Sequence, residues 1–564
     1  MKNSRPINHH ILRYMEMVEK GEVSACKEQH DLVAMVRYCF THEDIYVNEE
    51  QLENYIRLVN YFPYHGLYEW EEFCMALHLC TYRADGLPRW PDLFLLVGRG
   101  AGKDGYIGVV SFCLISPYNG IKHYDVDICA TNEEQAMTPF LDVLNALESP
   151  AHIKKLRKFF YWNKEEIIST RTGAKLKYRT NNAKGKDGLR SGIVVFNEEH
   201  QYQDYANINV FTTGLGKKPH PRRLYATTNG DVRDGPLDHH LEKAHAILGG
   251  YKHGKNHVKD NGFLPFICKL DSRDEVHNEA MWEKANPSLR HKPELLEEVR
   301  KEYVDWKAAP SQFTAFMTKR MNIPDGNPDI EVTSWDNIKA TNKPVIDLTG
   351  RSCVGGVDFV LITDMASAGL KFLVDGTYYW VSHSWICKKS KDIPRIKFPL
   401  EEAQRLGLLT IVDDVEVPPE LIVDWYARQA EFYTIKQIAM DRFRYALLKR
   451  EFLKIGFDAK EAKNIKLVTP SDIIQVVPSI DHQFATQQIA WGDNMLMRWA
   501  VNNTKKVKVL GVAKQDKGNY TYGKIEPKSR KTDPFMAYVA ASTLDHELDD
   551  VQGSAFDDLP VITG

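Results

Sequence analysis

The chain has 564 residues, a formal net charge of −3 and 43% hydrophobic residues, among them 11 Trp, 26 Tyr and 24 Phe. That length exceeds one ordinary core and predicts two or three domains, and that aromatic content excludes a disordered chain. The near-neutral charge excludes a global basic field, so any nucleic-acid surface must be local. The nine scattered cysteines form no C-x-x-C pair, which argues against a zinc ribbon or a disulfide framework. The opening MKNSRPINHH has no apolar leader and no apolar run reaches spanning length, so a reduced, intracellular, non-membrane protein is expected.

Residues 1–85 are predicted as a helical N-terminal region, because HHILRYMEMVEKGEVSACKEQHDLVAMVRYCF and WEEFCMALHLCTY carry apolar residues at helical spacing. Over 86–270 the short runs LFLLV, DVDICAT, GIVVF and RLYATT alternate with helical stretches, the texture of βαβ units on a mostly parallel sheet. A charged helical stretch follows and is read as a linker or subdomain over 271–345. A second strand-rich block spans 346–545. It opens with SCVGGVDFVL and TYYWVSHSWI, runs IKQIAMD into a helix and ends on the helix DPFMAYVAASTLD. The acidic 546–564 read as a tail.

Chemistry gathers at two places. In LFLLVGRGAGKDGYIG (93–108) an apolar strand meets a loop of Gly98, Arg99, Gly100, Ala101, Gly102, Lys103 and Asp104, and a helix follows. Such a loop turns backbone N–H groups around phosphates while its lysine neutralises the β- and γ-phosphates. It departs from G-x-x-x-x-G-K-[ST] at both ends, with Val97 in the first glycine slot and Asp104 in the hydroxyl slot. GIVVFNEEHQY (192–202) is a buried strand ending in acids, with Asn197 where an Mg²⁺-organising Asp is usual and Glu198 where a base or water-positioning residue acts. RLYATTNGD (223–231) ends in Thr227, Thr228 and Asn229, which either sense the γ-phosphate or form a strand-end turn.

In the second block Asp358 ends a short strand, Asp364 follows a turn, Asp441 joins a strand to a helix and Asp533 opens a helix. Acids so placed either converge on two divalent ions about 4 Å apart or serve separately as caps and surface groups.

These segments resemble the large subunit of tailed-phage terminases, the ATP-driven motors that package DNA. GEVSACKEQHDLVAMVRY is similar to the family's opening helix, and LYEWEEF (67–73) to its adenine-side motif, with Trp70 in place and Glu71 where Gln is usual. GLRSGIVVFNEEHQY, with His200 in register, resembles the Walker B region, and ATTNG the coupling strand. MWEKANPSL (281–289) and FMTKRMN (316–322) are similar to the segment between motor and nuclease. In the second block, GGVDFVLITDMA, IKQIAMD, KTDPFMAYVAA, and WGDNMLMRWAVNN with Asn494, Trp499 and Asn503 match the family's nuclease.

The resemblance implies a P-loop (ASCE-type) ATPase domain followed by an RNase H-like nuclease domain. It implies ATP and Mg²⁺ at the first site, with Trp70 beside the base, Lys103 and Glu198 catalytic, and Arg99 or Arg190 stabilising the transition state. It implies Mg²⁺ or Mn²⁺ held by Asp358, Asp441 and Asp533, with Asp364 as a further ligand. The implied partners are double-stranded DNA, gripped by basic segments such as 154–158 and 217–223, a portal protein, a terminase small subunit and further copies in a pentameric ring. The implied place is the host cytoplasm, docked on the prohead. A helicase-like translocase without cleavage and a catalytically inert portal-docking module are the alternatives. Asp104 and Asn197 together read as an exchange, the Mg²⁺ carboxylate having moved from one side of the site to the other.

Overall fold

A computed structural model describes residues 6–64, 66–180, 190–253, 260–310, 312–324, 331–359, 365–396, 398–414, 416–509, 519–526 and 529–550. The chain divides into two compact units, Met1–Asp325 and Gly326–Gly564.

The first unit is built on β1 (Asp92–Leu96), β2 (Asp125–Ala130), β3 (Phe160–Trp162), β4 (Glu166–Ser169), β5 (Lys175–Thr180), β6 (Ser191–Asn197), β7 (Arg222–Thr227) and β8 (Phe263–Ile267). They form one sheet in the order β8-β1-β7-β6-β2-β5-β4-β3. The six strands from β8 to β5 are parallel. β4 and β3 add an antiparallel edge that the alternation of strands and helices did not predict. β1 and β6 are near-continuous apolar runs buried on both faces, because helices cover both sides of a parallel sheet. β7 lies between β1 and β6, so the glycine loop after β1 and the acids after β6 leave the sheet two strands apart at the same edge.

The N-terminal region is helical over His9–Glu19, Lys27–His42, Glu49–Leu58 and Glu69–Cys80, with an unpredicted antiparallel ribbon of Ile45–Val47 against Thr81–Arg83. Its apolar faces share one core with the sheet, Tyr14 and Phe73 packing on Phe266 of β8. The stretch after β8 is less helical than expected. It runs as 3₁₀ turns at Arg273–His277, Glu279–Lys284 and Leu289–His291, then the helix Pro293–Ala308 and a π turn at Phe316–Arg320. Pro287 interrupts the helical hydrogen-bond ladder there, and Pro293 opens the helix that follows. Trp282, Trp306 and Phe316 supply a small core of their own.

The second unit carries β9 (Ser352–Asp358), β10 (Ala366–Val374), β11 (Thr377–Cys387), β12 (Leu409–Val412), β13 (Thr434–Asp441) and β14 (Ile465–Val468), in the order β12-β11-β10-β9-β13-β14. β9, β10 and β11 form an antiparallel meander, and β13 and β14 continue parallel to β9. The second block is therefore a mixed α/β sheet, as its strand-rich sequence predicts. The helix Asp533–Ser542 lies across β9, and a Cβ on Gly356 would come within 2.0 Å of the Ala537 carbonyl oxygen. Only glycine permits that approach. Order extends past 545: Leu548 is still packed with Val468 and Ala540, while 551–564 of the expected tail lie outside the described residues.

Candidate active sites

The loop after β1 bends at Gly100 (φ 91°) and Gly102 (φ 111°), conformations that side chains other than glycine's rarely adopt. Gly102 caps the helix Lys103–Ile115, whose free N–H groups and dipole make an anion site of the loop. The loop is braced from behind by the segment following β8. Gly98 N–H donates to the Ala285 carbonyl (2.7 Å) and Arg99 N–H to that of Lys319 (2.7 Å), while Arg320 Nη1 donates to the Arg99 carbonyl (2.8 Å). A Cβ at position 98 would lie 2.5 Å from the Arg320 carbonyl oxygen. The sequence signal for this brace was present in MWEKANPSL and FMTKRMN, but those runs read as a connection onward rather than as the back wall of the loop.

β6 ends at Asn197, and Glu198 follows in a left-handed conformation (φ 54°). That bend sets Glu198 Oε1 3.2 Å from Lys103 Nζ and Oε2 3.1 Å from His200 Nδ1. Burial raises the cost of charging Glu198, but the His200 hydrogen bond and the Lys103 charge outweigh it and hold the carboxyl at about 2. Lys319 Nζ lies 3.3 Å from His200 Nε2. An ammonium only donates, so His200 accepts on Nε2 and donates from Nδ1–H to Glu198. Thr227, the last residue of β7, accepts from the His200 backbone N–H through Oγ1 (3.0 Å). Beyond it, Asn229 N–H donates to Asn322 Oδ1 (2.9 Å). Glu198, β7 and the 316–322 segment are therefore hydrogen-bonded in series. Lys319 and Asn322 were not singled out from the sequence.

Asp104 and Asn197 meet directly: Asn197 Nδ2 donates to Asp104 Oδ1 at 2.8 Å. Arg99 and Arg190 are both exposed, so geometry does not choose between them. Trp70 is 1% exposed and packs against Tyr106 and Phe266. Its Nε1–H donates to Ser288 Oγ (3.0 Å), whose hydroxyl donates to the Ala101 carbonyl (2.7 Å), so Trp70 positions the loop. Glu71 is buried beside Gly102, and burial pushes its carboxyl up to about 8. Two arginines of the basic segment 217–223 are also structural. Arg222 is buried and donates to the Leu79 carbonyl, and Arg223 pairs with Asp92 (2.9 Å). Lys154, Lys155, Arg157 and Lys158 are exposed.

In the second unit β9 and β13 run in parallel register with Val357 opposite Met440, so Asp358 and Asp441 leave the sheet side by side. Carboxyl ends of neighbouring parallel strands are where α/β sheets present ligands. Asp441 Oδ1 accepts from the N–H groups of Phe443 (2.8 Å) and Arg444 (3.2 Å), capping the helix Arg442–Lys454. Asp533 is 1% exposed, and Lys524 Nζ lies 3.5 Å from its Oδ1. Asp358, Asp441 and Asp533 line one cavity of about 650 Å³ with Phe443, Arg444 and Lys524. Three hard oxygen donors suit Mg²⁺ or Mn²⁺. Asp364 lies outside the described residues.

Among the described residues, the cluster of metal-type side chains with ligand atoms all within 4.8 Å is a different one, His9, His10 and Glu53. Both His10 ring nitrogens are engaged there, by Glu72 (2.9 Å) and Glu53 (3.3 Å), which makes it an ion-pair network. The aspartates of the second unit are not grouped as tightly. No helix among the described residues is long and apolar enough to cross a membrane.

Comparison with known proteins gives two family matches. Residues 69–246 match the terminase large subunit ATPase domain, and 257–529 match the terminase large subunit endonuclease domain. The second match begins inside the first compact unit. Contacts place 263–324 with the ATPase sheet, to which this stretch gives β8 and the brace of the glycine loop. The terminase large subunits of Lactococcus phages p2 and SK1 are each 23% identical, over 489 and 491 residues, 84% of this chain and 85% of theirs. The crystal structure of the HK97 bacteriophage large terminase aligns at 15% identity, covering 88% of this chain and 100% of that one, with a TM-score of 0.45.

Proposed function

The chain belongs to the terminase large-subunit family, with an ATPase domain and an endonuclease domain, and from that premise we propose how its residues divide the packaging and cutting of DNA. The observation that carries the reading is the Lys103–Glu198 pair at 3.2 Å, which joins the glycine loop to the acid after β6.

Backbone N–H groups of 98–104 cradle the ATP phosphates, and Lys103 exchanges Glu198 for their charge. Glu198 then orients the attacking water and accepts its proton, with His200 fixing its rotamer. Loss of the γ-phosphate is felt at Thr227 through His200 and passes to Asn322 through Asn229. Asp104 would hold Mg²⁺, which supplies positive charge between carboxylate and phosphate oxygens. Arg99 or Arg190 adds the transition-state cation. In the second unit Asp358, Asp441 and Asp533, with Asp364 as a further donor, would hold two Mg²⁺ or Mn²⁺ ions, which activate water and stabilise the leaving oxygen of a phosphodiester.

The exposed basic run 154–158 contacts DNA phosphates, which position without specifying sequence. Family membership supports a portal protein, a small subunit that selects the cutting site, and a pentameric ring docked on the prohead in the host cytoplasm.

One experiment separates this reading from its rivals. Full-length protein is assayed for ATP turnover with and without double-stranded DNA, and for Mn²⁺-dependent nicking of supercoiled plasmid. DNA-stimulated turnover that Glu198→Gln abolishes, with nicking intact, is expected. Turnover without nicking would make the chain a translocase alone, and absence of both would make it an inert docking module.

A further inference from the structure

The helix that follows Asp441 carries a feature the metal chemistry does not use. Phe443 is 83% exposed, far more than a benzyl side chain in a folded domain normally is. Leu447, one turn on, is 40% exposed on the same face. Phe443 is flanked by Arg442 and Arg444, both exposed. Its backbone N–H is bonded to Asp441 Oδ1 at 2.8 Å, so the ring is carried on the same turn that fixes this aspartate. Phe443 and Arg444 line the cavity that holds Asp358, Asp441 and Asp533.

An exposed apolar ring with arginines as its two chain neighbours, at the aspartate cavity, suits one occupant better than any other. DNA offers phosphates to the arginines and a flat apolar face to the ring. Aromatic and arginine side chains are also common at protein interfaces, but Phe443 and Arg444 line the aspartate cavity itself, which on the nuclease reading receives DNA. We propose that Phe443 is a wedge, stacking on a nucleobase displaced from the duplex beside the scissile phosphate, with Arg442 and Arg444 holding the flanking phosphates. Stacking is tolerant of sequence because every base has a π-face, so the wedge would set where the backbone lies without choosing the site. Unstacking a base costs least at a mismatch, so paired and mismatched substrates should respond differently to loss of the ring.

The inference rests on the nuclease reading of the three aspartates. Its test uses full-length protein with Mn²⁺ and two labelled duplexes, one fully paired and one with a central mismatch. Phe443→Ala should lower kcat/KM on the paired duplex about 10-fold, within the range of a single base–aromatic stack. Phe443→Trp should recover most of that loss, the deficit should shrink to about 2-fold or less on the mismatched duplex, and ATP turnover should stay unchanged. Equal loss on both duplexes would overturn the wedge and assign the ridge to a protein contact or to packing. Wild-type rates on both would overturn it outright. Asp441→Asn runs alongside. If it still cleaves, the nuclease reading fails and the wedge falls with it, whereas if it is dead and Phe443→Ala is unimpaired, only the wedge falls.

Discussion

Asn197 and Asp104 show why a single residue type cannot be judged apart from its neighbour. A carboxylate beside nucleotide phosphates is repulsive unless a cation lies between them. Here the partner across the site is an amide that donates to Asp104 at 2.8 Å, so only one of the two positions supplies a carboxyl group. Asp104→Ser should remove the Mg²⁺ carboxylate and lower ATP turnover by about 10²-fold, and adding Asn197→Asp should restore about 10-fold of it. Asn197→Asp alone should also impair turnover, because it sets two carboxylates where an N–H···O bond stood. Steady-state rates of the three variants check this, and a double variant no faster than Asp104→Ser ends the exchange idea. Glu71 gives a pH-dependent prediction. Its carboxyl is held up to about 8 by burial, whereas in the unfolded chain it ionises in the usual glutamate range. Between those values the unfolded state has lost a proton that the folded state keeps, so this group's contribution to stability falls as pH rises toward 8. Glu71→Gln should therefore raise Tm at pH 8 by at least about 2 °C and change it little near pH 4, as read by thermal melts at both pH values.

Elements meet at the two sites by close backbone approach, and glycines set the distance. At Gly98 a methyl group would strike backbone oxygens of Arg320 and Ala285, and at Gly356 it would strike the backbone of the helix Asp533–Ser542. Gly356→Ala should push that helix off β9, displace Asp533 from Asp358 and Asp441, and cost the second unit about 1–3 kcal/mol. Nicking should be lost while ATP turnover persists. Gly98→Ala should do the reverse by parting the loop from its brace. Paired ATPase and nicking assays on each variant check both. The loop itself was legible in the sequence because strand, glycines, lysine and helix are contiguous there. Its brace was not, since Ala285, Lys319 and Arg320 reach it from about two hundred residues away and neither glycine spacing nor hydrophobic period records that return. The support that Trp70 gives the loop was hidden for a related reason. An indole in a motif near a nucleotide loop reads alike whether it touches the base or packs beneath the loop, and only burial separates the two.

Across the whole molecule the sequence yielded the order of chemistries more readily than their supports. The acid after β6, Asp358 and Asp441 could be named because each ends an apolar run, and Asp533 because it opens one, but how they are brought together depends on strand order and register. The antiparallel edge of β3 and β4 was missed because its residues, KFFYWNKEEIIST, mix polar and apolar types without regular alternation. Each unit has its own principal core, around Phe94, Phe196 and Phe266 in the first and around Leu370, Tyr426 and Met440 in the second. Two cores so separated in sequence should melt as two cooperative transitions. With Mg²⁺ present throughout, a non-hydrolysable ATP analogue should bind the first alone, and at 100-fold over its dissociation constant should stabilise that unit by about 2.7 kcal/mol. Calorimetry of the full chain should then show one transition rising by several degrees and the other unmoved, with Gly356→Ala lowering only the second. A single transition that shifts as a whole with the analogue would mean that the motor and the nuclease fold as one cooperative body, and that binding at one site is felt at the other.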